Sequence, residues 1–149
     1  MAVEISNRQR RIRLDRSEIA ELAAATLEAE GKPADVSIAF VNSKTITDLN
    51  RRYFGRDNPT DVIAFPLQDD LGDDSAYLGE AVICADVAAD EARTRGIDPT
   101  DELYLYTVHG LLHLLGHTDD TPAKRTAMNR RARSIVRRFL GRRKDGKRG

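Results

Sequence analysis

Aromatic side chains make up only 5% of this chain, cysteine occurs once and histidine three times. So few aromatic rings leave little material for stacking nucleobases, and stacking is expected to contribute little to any recognition of single strands. The lone cysteine, Cys84, cannot form an internal disulfide, which suits a reducing cytoplasm. It reads as a buried strand residue with no sign of an activated thiol. No apolar run approaches the length that crosses a bilayer, and Met1-Ala2-Val3-Glu4-Ile5 lacks the basic-then-apolar pattern of a signal peptide. A cytoplasmic location without a membrane partner is expected.

What is present is the composition of an ordinary globular domain, 40% hydrophobic and 32% charged. The 149 residues suffice for one domain with a real core, expected over residues 1–140 and followed by a basic, disordered tail at 141–149. The formal net charge of +0 hides an asymmetry: Lys124 to Gly149 holds twelve Lys or Arg and one acid, Asp145, whereas Asp69, Asp70, Asp73 and Asp74 crowd one turn. A basic end on an otherwise acidic chain suggests a polyanion partner, nucleic acid before membrane. A solvated helix face accounts for the charge about as well.

The apolar pattern predicts alternating strands and helices. Val3–Ile5 reads as a strand, and Asp15 caps a helix whose stripe is Ile19, Leu22, Ala23 and Leu27. A strand over Asp35–Val41 leads to a short helix capped by Ser43. Val62–Phe65 is a strand closed by Pro66, and Gly79–Cys84 is the last strand. Helices then run from Asp86 to Arg95, from an N-cap at Thr100 through Leu115, and from Thr121 or Pro122 to Leu140. The expected fold is α/β of the α+β kind: a small mixed sheet of about four strands covered by about five helices.

All three histidines fall within His109-Gly110-Leu111-Leu112-His113-Leu114-Leu115-Gly116-His117. His109 and His113, four apart, share one face of a helix and can reach one ion. That helix is apolar nearly all round, so both imidazoles are buried and need partners, which a shared metal supplies. Gly116 permits the turn that brings the chain back, as in a metzincin-like helix–turn. The spacing favours Asp119 as third ligand, with His117 as the alternative; His117 and Asp120 are the candidates for proton chemistry. Three ligands leave an open position, as catalytic zinc sites do. Zinc leads among the metals, with manganese, nickel or iron as alternatives. Gly110 occupies the place where H-E-x-x-H proteases carry their general base, so the protease reading loses its proton acceptor, and the glycine is expected to clear space beside the ion.

The run His109–Gly116 resembles the YbeY family, bacterial rRNA maturation factors described as metal-dependent single-strand endoribonucleases. Pro59-Thr60-Asp61-Val62-Ile63-Ala64-Phe65-Pro66 is similar to the family's P-T-D-V-L-S-F-P, and Leu78-Gly79-Glu80-Ala81-Val82-Ile83-Cys84 to its L-G-D-I-x-I-C. The resemblance implies His109 and His113 as metal ligands. It also marks departures: Asp119 stands where the family's third histidine does, and His117 where it has tyrosine. Phe54 holds the position of an arginine that the family typically carries. Arg52 and Arg56 flank it as candidates for phosphate contacts.

The expected function is therefore a metal-dependent endoribonuclease in rRNA maturation and ribosome quality control. The alternatives are a zinc metalloprotease and a non-catalytic, ribosome-associated metal-binding protein. Arg130, Arg137 and Arg138 on the last helix would attract rRNA or a ribosomal subunit without reading its sequence. DNA is not an expected partner; ribosomal or GTPase proteins are compatible ones.

Overall fold

The computed structural model describes residues 2–67 and 77–148, with side-chain environments through residue 142. The acidic turn read at residues 69–75 lies outside the described residues. The elements are β1 (Val3–Asn7), α1 (Arg16–Ala29), β2 (Asp35–Val41), α2 (Ser43–Phe54), β3 (Val62–Pro66), β4 (Tyr77–Cys84), α3 (Ala85–Arg95), α4 (Pro99–Leu114) and α5 (Pro122–Arg148). The strands form one mixed sheet in the order β1-β2-β4-β3, with β1, β2 and β4 parallel and β3 antiparallel along β4.

Period-two alternation sorts the sheet residues onto two faces. Val36, Ile38, Phe40, Ala81 and Ile83 join the main core, packed with α1, α4 and α5. Val82, Cys84 and Ile63 take the other face, with Ile46 of α2. The predicted α1 stripe is buried as expected, and each of Ile19, Leu22 and Leu27 contributes about 1.5–3 kcal/mol. Cys84 is buried and its thiol is pushed up by burial, which agrees with an inert role.

α4 is the central helix, buried along most of its length between the sheet, α1, α3 and α5. Its position depends on Gly110. A Cβ there would lie 2.9 Å from Ala81 Cβ and 3.2 Å from Val62 Cγ1, so the glycine lets the helix axis approach β4 and β3. This corrects the expectation that Gly110 opens room for substrate, because its bare face is turned to the sheet.

Two caps differ from those predicted. Asn42, not Ser43, accepts from Thr45 N at 2.9 Å, while Ser43 N donates to Asp86 Oδ2 at 2.7 Å. Asp98, not Thr100, caps α4, because Pro99 suits the first helical position and Asp98 accepts from Thr100 N at 2.9 Å. The backbone of α5 continues past the predicted stop at Leu140 to Arg148, so the helix takes in most of the expected tail. Arg142, Arg143 and Lys144 are good helix formers, set against about 1 kcal/mol for each of the two glycines, Gly141 and Gly146.

Candidate metal centre

α4 ends in a tight reversal built by Gly116. Gly116 N donates to His113 O at 3.0 Å and His117 N to Leu112 O at 3.0 Å, the paired bonds of a Schellman turn. Gly116 sits at φ +100°, which an L side chain rarely adopts. Helical phase aims His109 and His113 into a cleft of about 640 Å³ between α4, β3, the segment after α2 and the start of α5. The reversal then carries Asp119 to the same cleft, with its Oδ2 3.7 Å from His113 Nε2.

These groups suit a cation. His109 Nε2 is buried without a hydrogen-bond partner, an arrangement that costs about 1–3 kcal/mol unless something binds it. Burial lowers the His109 pKa, against the opposing pull of nearby Asp61 and of the Asn129 side chain, which favours the neutral ring that a metal needs. Tetrahedral ligands with bonds of about 2.1 Å hold their donor atoms about 3.4 Å apart, close to the His113–Asp119 separation. Among the described residues, no three His, Cys, Asp or Glu side chains draw close enough to complete a metal shell. The fit therefore rests on the unpartnered His109 nitrogen and the His113–Asp119 pair.

His117 turns the other way. Its Nε2 lies 2.5 Å from Glu30 Oε1, and Arg131 donates to Glu30 Oε2 at 2.9 Å and to Ala29 O at 3.0 Å. Burial opposes the Glu30 charge, but Arg131 and His117 outweigh it and hold the carboxyl below its ordinary value. His117 is thus spent joining α1, α5 and the turn after α4, and it does not line the cleft. Asp120 is also outside the cleft, paired with Lys124 at 3.4 Å, which lowers its pKa.

The arginines divide similarly. Arg56 lines the cleft, whereas the Arg52 guanidinium lies over the Tyr53 ring, 5.5 Å from its centroid. Arg130 is exposed on α5, and Arg137 and Arg138 face two other grooves. Those three do not share the ligand face.

Three cleft residues escaped the sequence reading: Asp61, Arg125 and Asn129. Asp61 stands inside one of the quoted blocks, and its carboxylate accepts from Val62 N at 2.8 Å and Thr60 Oγ1 at 3.2 Å. Arg125 and Asn129 are an i, i+4 pair on α5, a spacing that puts two polar groups on one helix face. The segment between α2 and β3 is braced by Asn50 Nδ2 donating to Asn58 O at 2.9 Å and by the Arg51–Asp57 ion pair.

The chain is similar throughout to known proteins. The family model described as Endoribonuclease YbeY matches residues 4–140. An Endoribonuclease YbeY of Beutenbergia cavernae is 36% identical over 148 residues, covering 94% of this chain and 98% of that protein. One from Carboxydothermus hydrogenoformans is 43% identical over 117 residues, covering 76% and 80%. The solution structure of TM1509 from Thermotoga maritima superposes with a TM-score of 0.63 at 24% identity, over 97% of this chain and 93% of that one, and so shares the fold. A cleft floored by two histidines of one helix, on a fold and sequence matched along nearly the whole chain, makes this protein a member of the endoribonuclease YbeY family.

Proposed function

We propose that the cleft holds one divalent ion, zinc first among the candidates, on His109, His113 and Asp119, and cuts single-stranded RNA in rRNA maturation and ribosome quality control. The observation that carries this reading is the buried, unpartnered His109 Nε2 facing a cleft that it shares with His113 and Asp119. When bound, such an ion supplies Lewis-acid polarisation of a phosphoryl oxygen and lowers the pKa of a bound water. Arg56 and Arg125 line the same cleft and suit the flanking phosphates, each offering a guanidinium fork. Asp61 adds negative charge beside His109, which favours a cation there, and its hydrogen bonds to Val62 and Thr60 fix its carboxylate. With His117 and Asp120 turned away, Asp61 replaces them as the carboxylate placed to accept a proton.

The protease alternative is not favoured. Position 110 has no room for the glutamate that such enzymes need, since even a Cβ would press on Ala81 and Val62. No helix among the described residues is long and apolar enough to cross a membrane, which is compatible with the cytoplasmic site of rRNA. Arg130, Arg137 and Arg138 of α5, unlike Arg125, lie outside the cleft lining and suit non-specific contact with a ribosomal subunit.

The test is cleavage of single-stranded RNA by purified metal-loaded protein. Specific cuts, lost on adding a chelator and absent in His113→Ala, support the reading. Cleavage of casein but not RNA would favour the protease. Neither activity, with folding dependent on metal, would favour a structural role on the ribosome.

A further inference from the structure

Phe54 is the last residue of α2 and is 54% exposed, although it lines the cleft. Tyr53 is equally exposed, so the place of the Phe54 ring in the cleft lining, and not its exposure alone, is what sets it apart. The backbone that carries the ring is well held. Ile46 and Asn50 bury one side of α2, Gly55 closes the helix in a left-handed cap with φ +66°, and the Asn50–Asn58 and Arg51–Asp57 contacts fix the segment that follows. The neighbouring ring, Tyr53, is already engaged edge-on with Phe65, with centroids 5.1 Å apart, and beneath Arg52. Phe54 has no ring partner among the described residues. Two residues on, Arg56 lines the same cleft and presents a cation suited to phosphate.

An open aromatic face on a braced backbone, with a guanidinium lining the same cleft, is a pairing that suits single-stranded nucleic acid: one group for a base, one for the backbone. The cleft that the ring lines also carries Arg56, Arg125 and Asn129 and the proposed ligands, a set of cationic and polar groups that suits a phosphate-bearing strand better than an apolar peptide. We infer that Phe54 is a stacking platform for one unpaired base of the RNA bound in the cleft, next to the phosphate held by Arg56. The inference rests on the nuclease reading and adds a determinant that the low aromatic content argued against. One well-placed ring suffices for one base.

The experiment compares wild type, Phe54→Ala and Phe54→Trp, all metal-loaded, on a labelled 2′-O-methyl 12-mer and on the same strand made abasic. Phe54→Ala should weaken binding of the base-bearing strand by about 5- to 150-fold, the equivalent of about 1–3 kcal/mol for one stacked base. It should bind the abasic strand as wild type does. On cleavable RNA the loss should fall on KM more than on kcat. Because the chain contains no tryptophan, the Phe54→Trp indole is a unique reporter. Its fluorescence should be quenched by the base-bearing strand and not by the abasic one, with affinity restored. Binding by Phe54→Ala within twofold of wild type, or an indole blind to bases, would overturn the inference while wild-type cleavage left the nuclease reading intact. If wild type cleaved no RNA but the Phe54 effects appeared, the platform would stand and the nuclease reading would fall.

Discussion

His117 Nε2 lies 2.5 Å from Glu30 Oε1, and this bond separates the third histidine from the other two. The Schellman turn at Gly116 splits the chain's chemistry in two directions, sending His117 to α1 and α5 and Asp119 to the cleft. His117→Ala should therefore keep its metal and its cleavage activity. It should lose about 1 kcal/mol of stability, the worth of a partly exposed charged hydrogen bond, or about 3 °C in Tm. Thermal melts beside metal analysis check this, and loss of metal in the variant would return His117 to the ligand set.

The Glu30 carboxyl gives a pH signature. Its folded pKa lies below the ordinary 4.5, so its contribution is complete above that value and is lost as the pH falls through the lower folded value. Glu30→Gln should melt below wild type near neutral pH, with the gap narrowing as the pH falls below the ordinary carboxyl value of 4.5. Melting curves across that range measure it. A gap that stays constant would show that the carboxylate is not held charged.

Gly110 is fixed by packing. Gly110→Ala places a methyl 2.9 Å from Ala81 Cβ, and overpacking of this kind costs about 1–3 kcal/mol, offset in part by about 1 kcal/mol of helix propensity. A net loss in denaturant midpoint is expected. Gly110→Glu, which writes the protease sequence into α4, should unfold the chain rather than confer proteolysis.

Arg56 and Arg125 line the cleft without sharing an element. Replacing either with Ala should weaken RNA binding and reduce the slope of log K against log salt by about one charge, whatever the sequence of the strand. Arg137→Ala, which faces another groove, should leave the cleavage of short RNAs unchanged.

The fold was largely legible because its signals are local and periodic. The α1 stripe, the alternating burial along β2 and the i, i+4 histidines each follow from a spacing of two or of 3.6 residues. The caps at Asn42 and Asp98 were missed by one or two residues, where neighbouring Ser, Thr, Asp and Asn compete for the same role. Of the site, the ligand helix was visible and the spacing pointed to Asp119, but the direction of His117 was not legible. It depends on Glu30, which is 87 positions away and meets His117 only in the folded chain. Asp61 and Arg125 reach the cleft through long-range packing for the same reason. Gly110 shows the converse: its absent side chain was noticed, but only the sheet beneath it reveals what the absence is for.

The most direct test of the account is the coordination of the bound ion, read by X-ray absorption on metal-loaded wild type and on Asp119→Ala. The account expects one ion per chain with two imidazoles and one carboxylate, and loss of the ion or of that oxygen signal in the variant. Three imidazoles in wild type, or a chain that binds no metal at all, would contradict it.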